Sequence, residues 1–161
     1  MASFGFDEIW SSDLDDVASE LTPYNLGSLR TRNIRRELDS FTELCNQIDN
    51  KSLLCGPERW PKWMLVVVAK ADLYWPDRNA VFDYYKPHSP TSPFAERIDD
   101  LQQKLGRNRM NYKVVPAAFT SREYRFAANA GTLRSPSFLI QDQCSTSVAE
   151  LVNALEGMAS D

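Results

Sequence analysis

Glycine is scarce and scattered in this chain. Its six glycines, Gly5, Gly27, Gly56, Gly106, Gly131 and Gly157, stand far apart, and none is followed by lysine. A phosphate-cradling loop of the form Gly-x4-Gly-Lys-Ser/Thr is therefore excluded, because backbone N–H groups turn towards a phosphate only where nearby glycines leave room. The clustered glycines of a dinucleotide-binding turn are missing for the same reason. No glycine has an aspartate three positions before it, so an Asp-x-x-Gly element sensing a terminal phosphate is absent too. Histidine occurs once, as His88 within Tyr84-Tyr85-Lys86-Pro87-His88-Ser89-Pro90. That turn-rich setting makes it a surface residue rather than a catalytic base. The three cysteines, Cys45, Cys55 and Cys144, are odd in number, with no Cys-x-x-Cys and no adjacent histidine. Neither a disulfide framework nor a zinc site is indicated, and a reducing, cytoplasmic setting is expected.

What is present describes one folded unit. The 161 residues are 43% hydrophobic and 11% aromatic, enough for a core in one domain but not for a second. A net charge of −4 and a pI near 5.1 give no general attraction to nucleic acid or to an anionic membrane, so neither is expected as a partner. The amino terminus lacks the basic start and apolar stretch of a secretory signal, and no apolar run approaches the roughly 20 residues of a membrane span. Arg30, Arg32, Arg35 and Arg36 form the one basic cluster. With Glu37, Asp39 and Glu43 following, it reads as a solvated helix face with Arg35 and Asp39 paired four apart, in preference to an anion site.

Apolar spacing sets out the elements. Trp10, Leu14, Val17 and Leu21 fall on one helical face ended by Thr22-Pro23, with residues 6–10 as a competing strand. Ile34, Leu38, Phe41, Leu44 and Ile48 form one stripe and predict a helix over residues 31–48. Asp49-Asn50 and Cys55-Gly56-Pro57 are then expected to form a loop. The run Met64-Leu-Val-Val-Val-Ala69 predicts a strand buried on both faces of a parallel sheet. Ser92 and Pro93 supply an N-cap oxygen and a preset first helical φ for an amphipathic helix carrying Phe94, Ile98, Leu101 and Leu105 and closed by Gly106. A second strand is expected over 112–119, with Pro116 tolerated near its end. Residues 120–134 read as polar and irregular, and Phe138-Leu139-Ile140 as a short strand within 137–141. Ser147-Val148-Ala149-Glu150 matches a capping box opening a last helix, with Val148, Leu151, Leu155 and Met158 on one side. Strand, helix, strand and helix in this order make a βαβα unit with both strands parallel.

The first strand ends in Lys70-x-Asp72. From about residue 33 to 157, the helix over 33–48, the strand ending Ala-Lys-Ala-Asp-Leu, the aromatic pairs Tyr74-Trp75 and Tyr84-Tyr85, and Val114-Val115-Pro116-Ala117-Ala118-Phe119 together resemble the carboxy-terminal half of a bacterial P-loop GTPase of the translation-factor-like class. The resemblance implies a three-layer partial P-loop-NTPase-like (Rossmann-like) α/β fold, with a small, mostly parallel sheet flanked by helices. It implies one GTPase-like domain over 1–161, with 1–30 a variable amino-terminal segment and 31–161 the GTPase-like half. In that family the lysine stem covers a guanine base and the aspartate accepts its ring N–H and amino hydrogens. Lys70 and Asp72 would then hold the base of GDP or GTP, with Ala118 and Phe119 as the second base-contacting loop. Two positions depart from the family pattern. Ala69 replaces an asparagine or threonine that ties neighbouring loops together, and Ala118-Phe119 replaces a serine-alanine pair.

The resulting expectation is a partial or degenerate GTPase-like domain, a pseudoenzyme with weak guanine-nucleotide binding and no autonomous hydrolysis. The alternative is a catalytically inactive α/β interaction module whose open sheet edge is covered by a protein partner or by self-association, with Trp10, Trp60, Trp63 and Trp75 as anchors. An acid/base pair such as Asp72 and Glu123 has no spacing to recommend it.

Overall fold

A computed structural model describes residues 23–106, 109–128, 131–135 and 137–160, with side chains described outside 23–29 and 124–135. The expected helix or strand before Pro23 lies outside these residues. Pro23 itself belongs to α1, Pro23–Leu54. This helix runs through Asp49-Asn50 without the expected loop. The break comes at Gly56-Pro57, where a 3-10 turn, Pro57–Arg59, leads into β1, Trp63–Val68. On α1, Phe41 and Cys45 are buried whereas Leu44 is 47% exposed, so the cysteine takes the core position that the leucine was expected to fill. Arg35 and Asp39 are both exposed on the outer face.

After β1 come a short helix α2, Ala71–Tyr74, a 3-10 turn, Trp75–Asp77, and α3, Arg78–Tyr85. The next helix, α4, spans Pro93–Leu105, and its local signals act as their chemistry requires. Ser92 Oγ accepts from Ala95 N at 3.2 Å, and Phe94, Ile98, Leu101 and Leu105 are all buried. Gly106 ends it at φ +95°, a backbone region that a side chain would strain. Ser92 Oγ also donates to Tyr84 O and so ties the start of α4 to α3.

β2, Asn111–Pro116, pairs with β1 in parallel register from Trp63 opposite Asn111 to Val68 opposite Pro116. Pro116 is tolerated because it closes the strand. Among the described residues this sheet has two strands, and the two faces of β1 are not equally buried as expected: Val66 and Val68 are buried while Leu65 and Val67 are half-buried. Residues 120–134 are not irregular throughout. β3, Tyr124–Ala128, and β4, Gly131–Ser135, form an antiparallel hairpin. Residues 138–140 form a turn rather than a strand.

The last helix, α5, is Gln141–Ser160, so the capping-box reading at Ser147 is overturned: that serine lies inside the helix and is buried. Its inward residues include Cys144, Ser147 and Ala154, while Leu155 is 49% exposed. The core joins the helices and the parallel strand pair. Phe41 of α1 stacks on Phe94 of α4 at 3.9 Å between ring centroids, Tyr85 meets Phe94 edge-on at 4.8 Å, and Val66, Val68, Ile98, Leu105 and Cys144 complete it. The chain is thus a mixed helix-and-strand protein with a small parallel sheet. No helix among the described residues is long and apolar enough to cross a membrane.

Candidate functional site

The carboxyl ends of β1 and β2 lie side by side, the place where open α/β sheets gather ligand-binding turns. Lys70 leaves β1 in the left-handed region, at φ 58° and ψ 38°, and turns the chain at once into α2. That conformation is uncommon for a residue with a side chain and persists only where surrounding bonds hold it. Several bonds do. Ala71 N donates to Ala117 O at 3.1 Å, Ala117 N to Val68 O at 2.9 Å, and Leu73 N to Lys70 O at 2.9 Å. The buried Tyr74 hydroxyl donates to Val68 O at 2.5 Å.

Asp72 is carried inward by this turn and is 1% exposed. Its backbone oxygen accepts from Phe138 N at 2.8 Å, which fastens the 137–140 turn against it. Its Oδ2 is buried without a hydrogen-bond partner. Burial pushes the carboxyl above its usual range, opposed by its own backbone N–H, by Ser137 and by the charges of Arg122 and Lys70. The Ser137 hydroxyl has one proton and two claimants, this carboxyl group and Leu139 O at 2.7 Å. Burial and the neighbouring Asp72 also raise the Cys144 thiol, which is fully buried and so packs as a small apolar group.

The second turn is held from α5. Ala118 is buried, its N–H donates to Ser147 Oγ at 3.0 Å, and Ser147 Oγ lies 3.1 Å from Ala118 O and 2.8 Å from Cys144 O. The Lys70 turn is thus tied to the 117–118 turn through Ala71 N and Ala117 O, and that turn to α5 through Ser147. Phe119 is 56% exposed, so its ring lies at the surface rather than filling the space beside Asp72. Ser121 joins this turn to the next, with Ser121 Oγ donating to Leu139 O at 2.6 Å and Ser121 N to Gln141 Oε1 at 3.0 Å.

Of the four residues expected at the site, the fold sets the Lys70–Asp72 turn beside Ala118, turns Phe119 outward, and closes the aspartate under the 137–140 turn. Sequence reasoning missed Ser137 and Ser147. Ser147 was hidden by its match to a capping pattern, and nothing local distinguishes Ser137. The charges that hold the Asp72 carboxyl down are those of Arg122 and Lys70, and Glu123 is exposed. His88 is a surface residue at φ 62°, with Nδ1 2.9 Å from Asp99 Oδ1. Among the described residues no group of histidine, cysteine and acid side chains is placed to hold a metal ion.

Comparison with protein-family models, with curated proteins and with solved structures gives no match. The class that fold and site define is a small α/β protein with one acidic, partly unsatisfied turn at the carboxyl end of a parallel strand pair.

Proposed function

We propose that this chain is a guanine-recognising module of GTPase-like ancestry without hydrolytic activity of its own. The observation that carries the reading is the placement of Lys70 and Asp72 on one strand-to-helix turn beside the Ala117–Ala118 turn, with a carboxylate oxygen left unpaired. The two oxygens of a carboxylate suit the two adjacent donors of guanine, and adenine offers no such pair; Oδ2 is unpaired in the folded chain. The lysine stem supplies an apolar surface for the base. Phosphate contacts contribute charge-assisted bonds of roughly twice the usual strength, and a site without them keeps only a few kcal/mol, which corresponds to about millimolar affinity for GDP or GTP.

Titration of the folded chain with guanosine, GDP and adenosine, followed by tryptophan fluorescence, tests this. Saturable binding that prefers guanine and is lost in Asp72→Ala is expected. Equal response to adenosine, or no saturation by about 5 mM, removes the reading.

A second reading, an inactive interaction module, draws on different residues. Leu53 and Leu54 are 79% and 87% exposed at the end of α1, and Phe138 and Ile140 are exposed at the carboxyl end of the sheet. Apolar surface of this kind favours a protein partner or self-association. Sedimentation of the chain and of Leu53→Lys/Leu54→Lys distinguishes the two, because only the module reading requires these leucines for assembly.

A further inference from the structure

The aspartate that the proposed site depends on is shut. Asp72 has almost no exposed surface, and among the described residues the 137–140 segment reaches it through Phe138 N, which donates to Asp72 O, with Ser137 beside its carboxyl group. Elsewhere that segment is held by one core side chain, by bonds within its own turn and by bonds to Ser121 and the start of α5. Ser137 spends its hydroxyl on its own turn, with Leu139 N donating to Ser137 Oγ at 3.1 Å and Ser137 Oγ lying 2.7 Å from Leu139 O. Leu139 is buried, but its neighbours Phe138 and Ile140 are 55% and 64% exposed, so only one of the three apolar side chains is anchored in the core. Further bonds among the described residues run from Ser121 Oγ to Leu139 O, from Cys144 N to Ile140 O at 3.1 Å, and from Ile140 N to Gln143 Oε1 at 3.0 Å on an exposed side chain.

We propose that the 137–140 turn is an autoinhibitory lid, and that a guanine base and this turn compete for Asp72. The inference rests on the base-binding reading above and states how that site is regulated. A base that takes the carboxylate must displace Ser137 and release Phe138 N–H from Asp72 O. The affinity of the resting chain is then reduced by the fraction of time the lid is closed. Phe138 and Ile140, already facing solvent, let the turn swing without uncovering new apolar surface beyond Leu139.

The test uses the full chain and two lid variants. Ser137→Ala removes the hydroxyl, and Phe138→Pro removes the N–H that reaches Asp72 O. Each is first checked for a cooperative thermal transition, so that one variant remains if the other fails to fold. Guanosine, which carries the base without phosphates, is the probe, and exchange of the Phe138 amide in the wild type and Ser137→Ala reports lid opening. Tighter guanosine binding by roughly five- to ten-fold in the variants is expected, with faster Phe138 exchange in the guanosine complex of the wild type than in the free protein. Equal affinities, with the Phe138 amide still protected in the complex, overturn the lid and leave the base site standing. Variants whose lid is open by exchange yet bind no guanosine overturn the base site, and the lid as its regulator falls with it.

Discussion

Replacing Ser147 by alanine isolates the bond that holds the second site turn to α5. In the folded chain the serine is 4% exposed and its oxygen is the partner of Ala118 N–H, itself on a residue 1% exposed. Alanine at this position leaves that N–H buried with nothing to accept it. An orphaned buried donor costs about 1–3 kcal/mol. Alanine is a better helix former than serine and returns about 0.5 kcal/mol of this. The net loss is about 1–2 kcal/mol, and in a chain of this length it lowers the melting temperature by roughly 2–8 °C. Ser145→Ala is the matched control. Ser145 lies in the same helix and its hydroxyl donates to the backbone Gln141 O at 3.1 Å, but it is exposed and water replaces that bond. Its expected change is within about 0.5 kcal/mol. Calorimetry of both variants beside the wild type decides the matter. Equal melting temperatures for the two variants would refute the reasoning, because they would mean that Ala118 N–H finds water or another acceptor when the hydroxyl is gone.

Three further outcomes are expected. Asp72 has a raised folded pKa, chiefly through burial, so the chain carries no penalty while the carboxyl is neutral and loses stability as pH rises from about 4 through that folded value. Asp72→Asn should flatten this profile in urea midpoints taken between pH 4 and 8, and an unchanged slope would mean that the carboxyl is solvated in the folded chain. Gly106→Ala introduces a Cβ with room, 3.4 Å from Arg109 Cδ, but at φ +95°, so backbone strain alone should cost about 1–2 kcal/mol in denaturant unfolding; a neutral result would show that the end of α4 relaxes freely. Tyr85→Phe removes the donor to Glu37 Oε2 at 2.6 Å while leaving the ring edge-on to Phe94. A loss of about 1–2 kcal/mol is expected, at the lower end for a bond to a charged group because Glu37 is only half-buried, and no loss would place that bond in solvent.

Local chemistry made some elements legible in the sequence. The α4 helix was readable at both ends because Ser92, Pro93 and Gly106 act on their immediate neighbours, and its inward face because four apolar residues repeat at helical spacing. β1 was readable as a valine run, and its parallel pairing followed from the intervening helices. Reading failed where distant partners decide. Ser147 has the right residues around it for a helix start, yet the helix begins at Gln141 and the serine is used across the fold by Ala118. Phe138-Leu139-Ile140 has the composition of a strand, but Phe138 N bonds Asp72 O and no strand among the described residues pairs with it. Leu44 was chosen over Cys45 because apolar size guided the stripe, whereas the helix face turns the small thiol inward and desolvates it, raising its pKa to about 11. At the site, Lys70 and Asp72 could be named from their order after the strand. The closure of Asp72 could not, since it depends on a turn whose own sequence carries no sign of its partner.

The parallel register of β1 and β2 has a consequence for how the chain reaches this structure. Trp63 meets Asn111 only after α2, α3 and α4 have closed the connection between them, and such distant pairing carries an entropic cost before any strand bond repays it. The packing of Phe41 against Phe94 brings α1 and α4 together and shortens that search, so these helices are expected to assemble ahead of the sheet. The turns around Lys70, Ala117 and Phe138 are then the last parts of the chain to find their places, and the first to come apart when it opens.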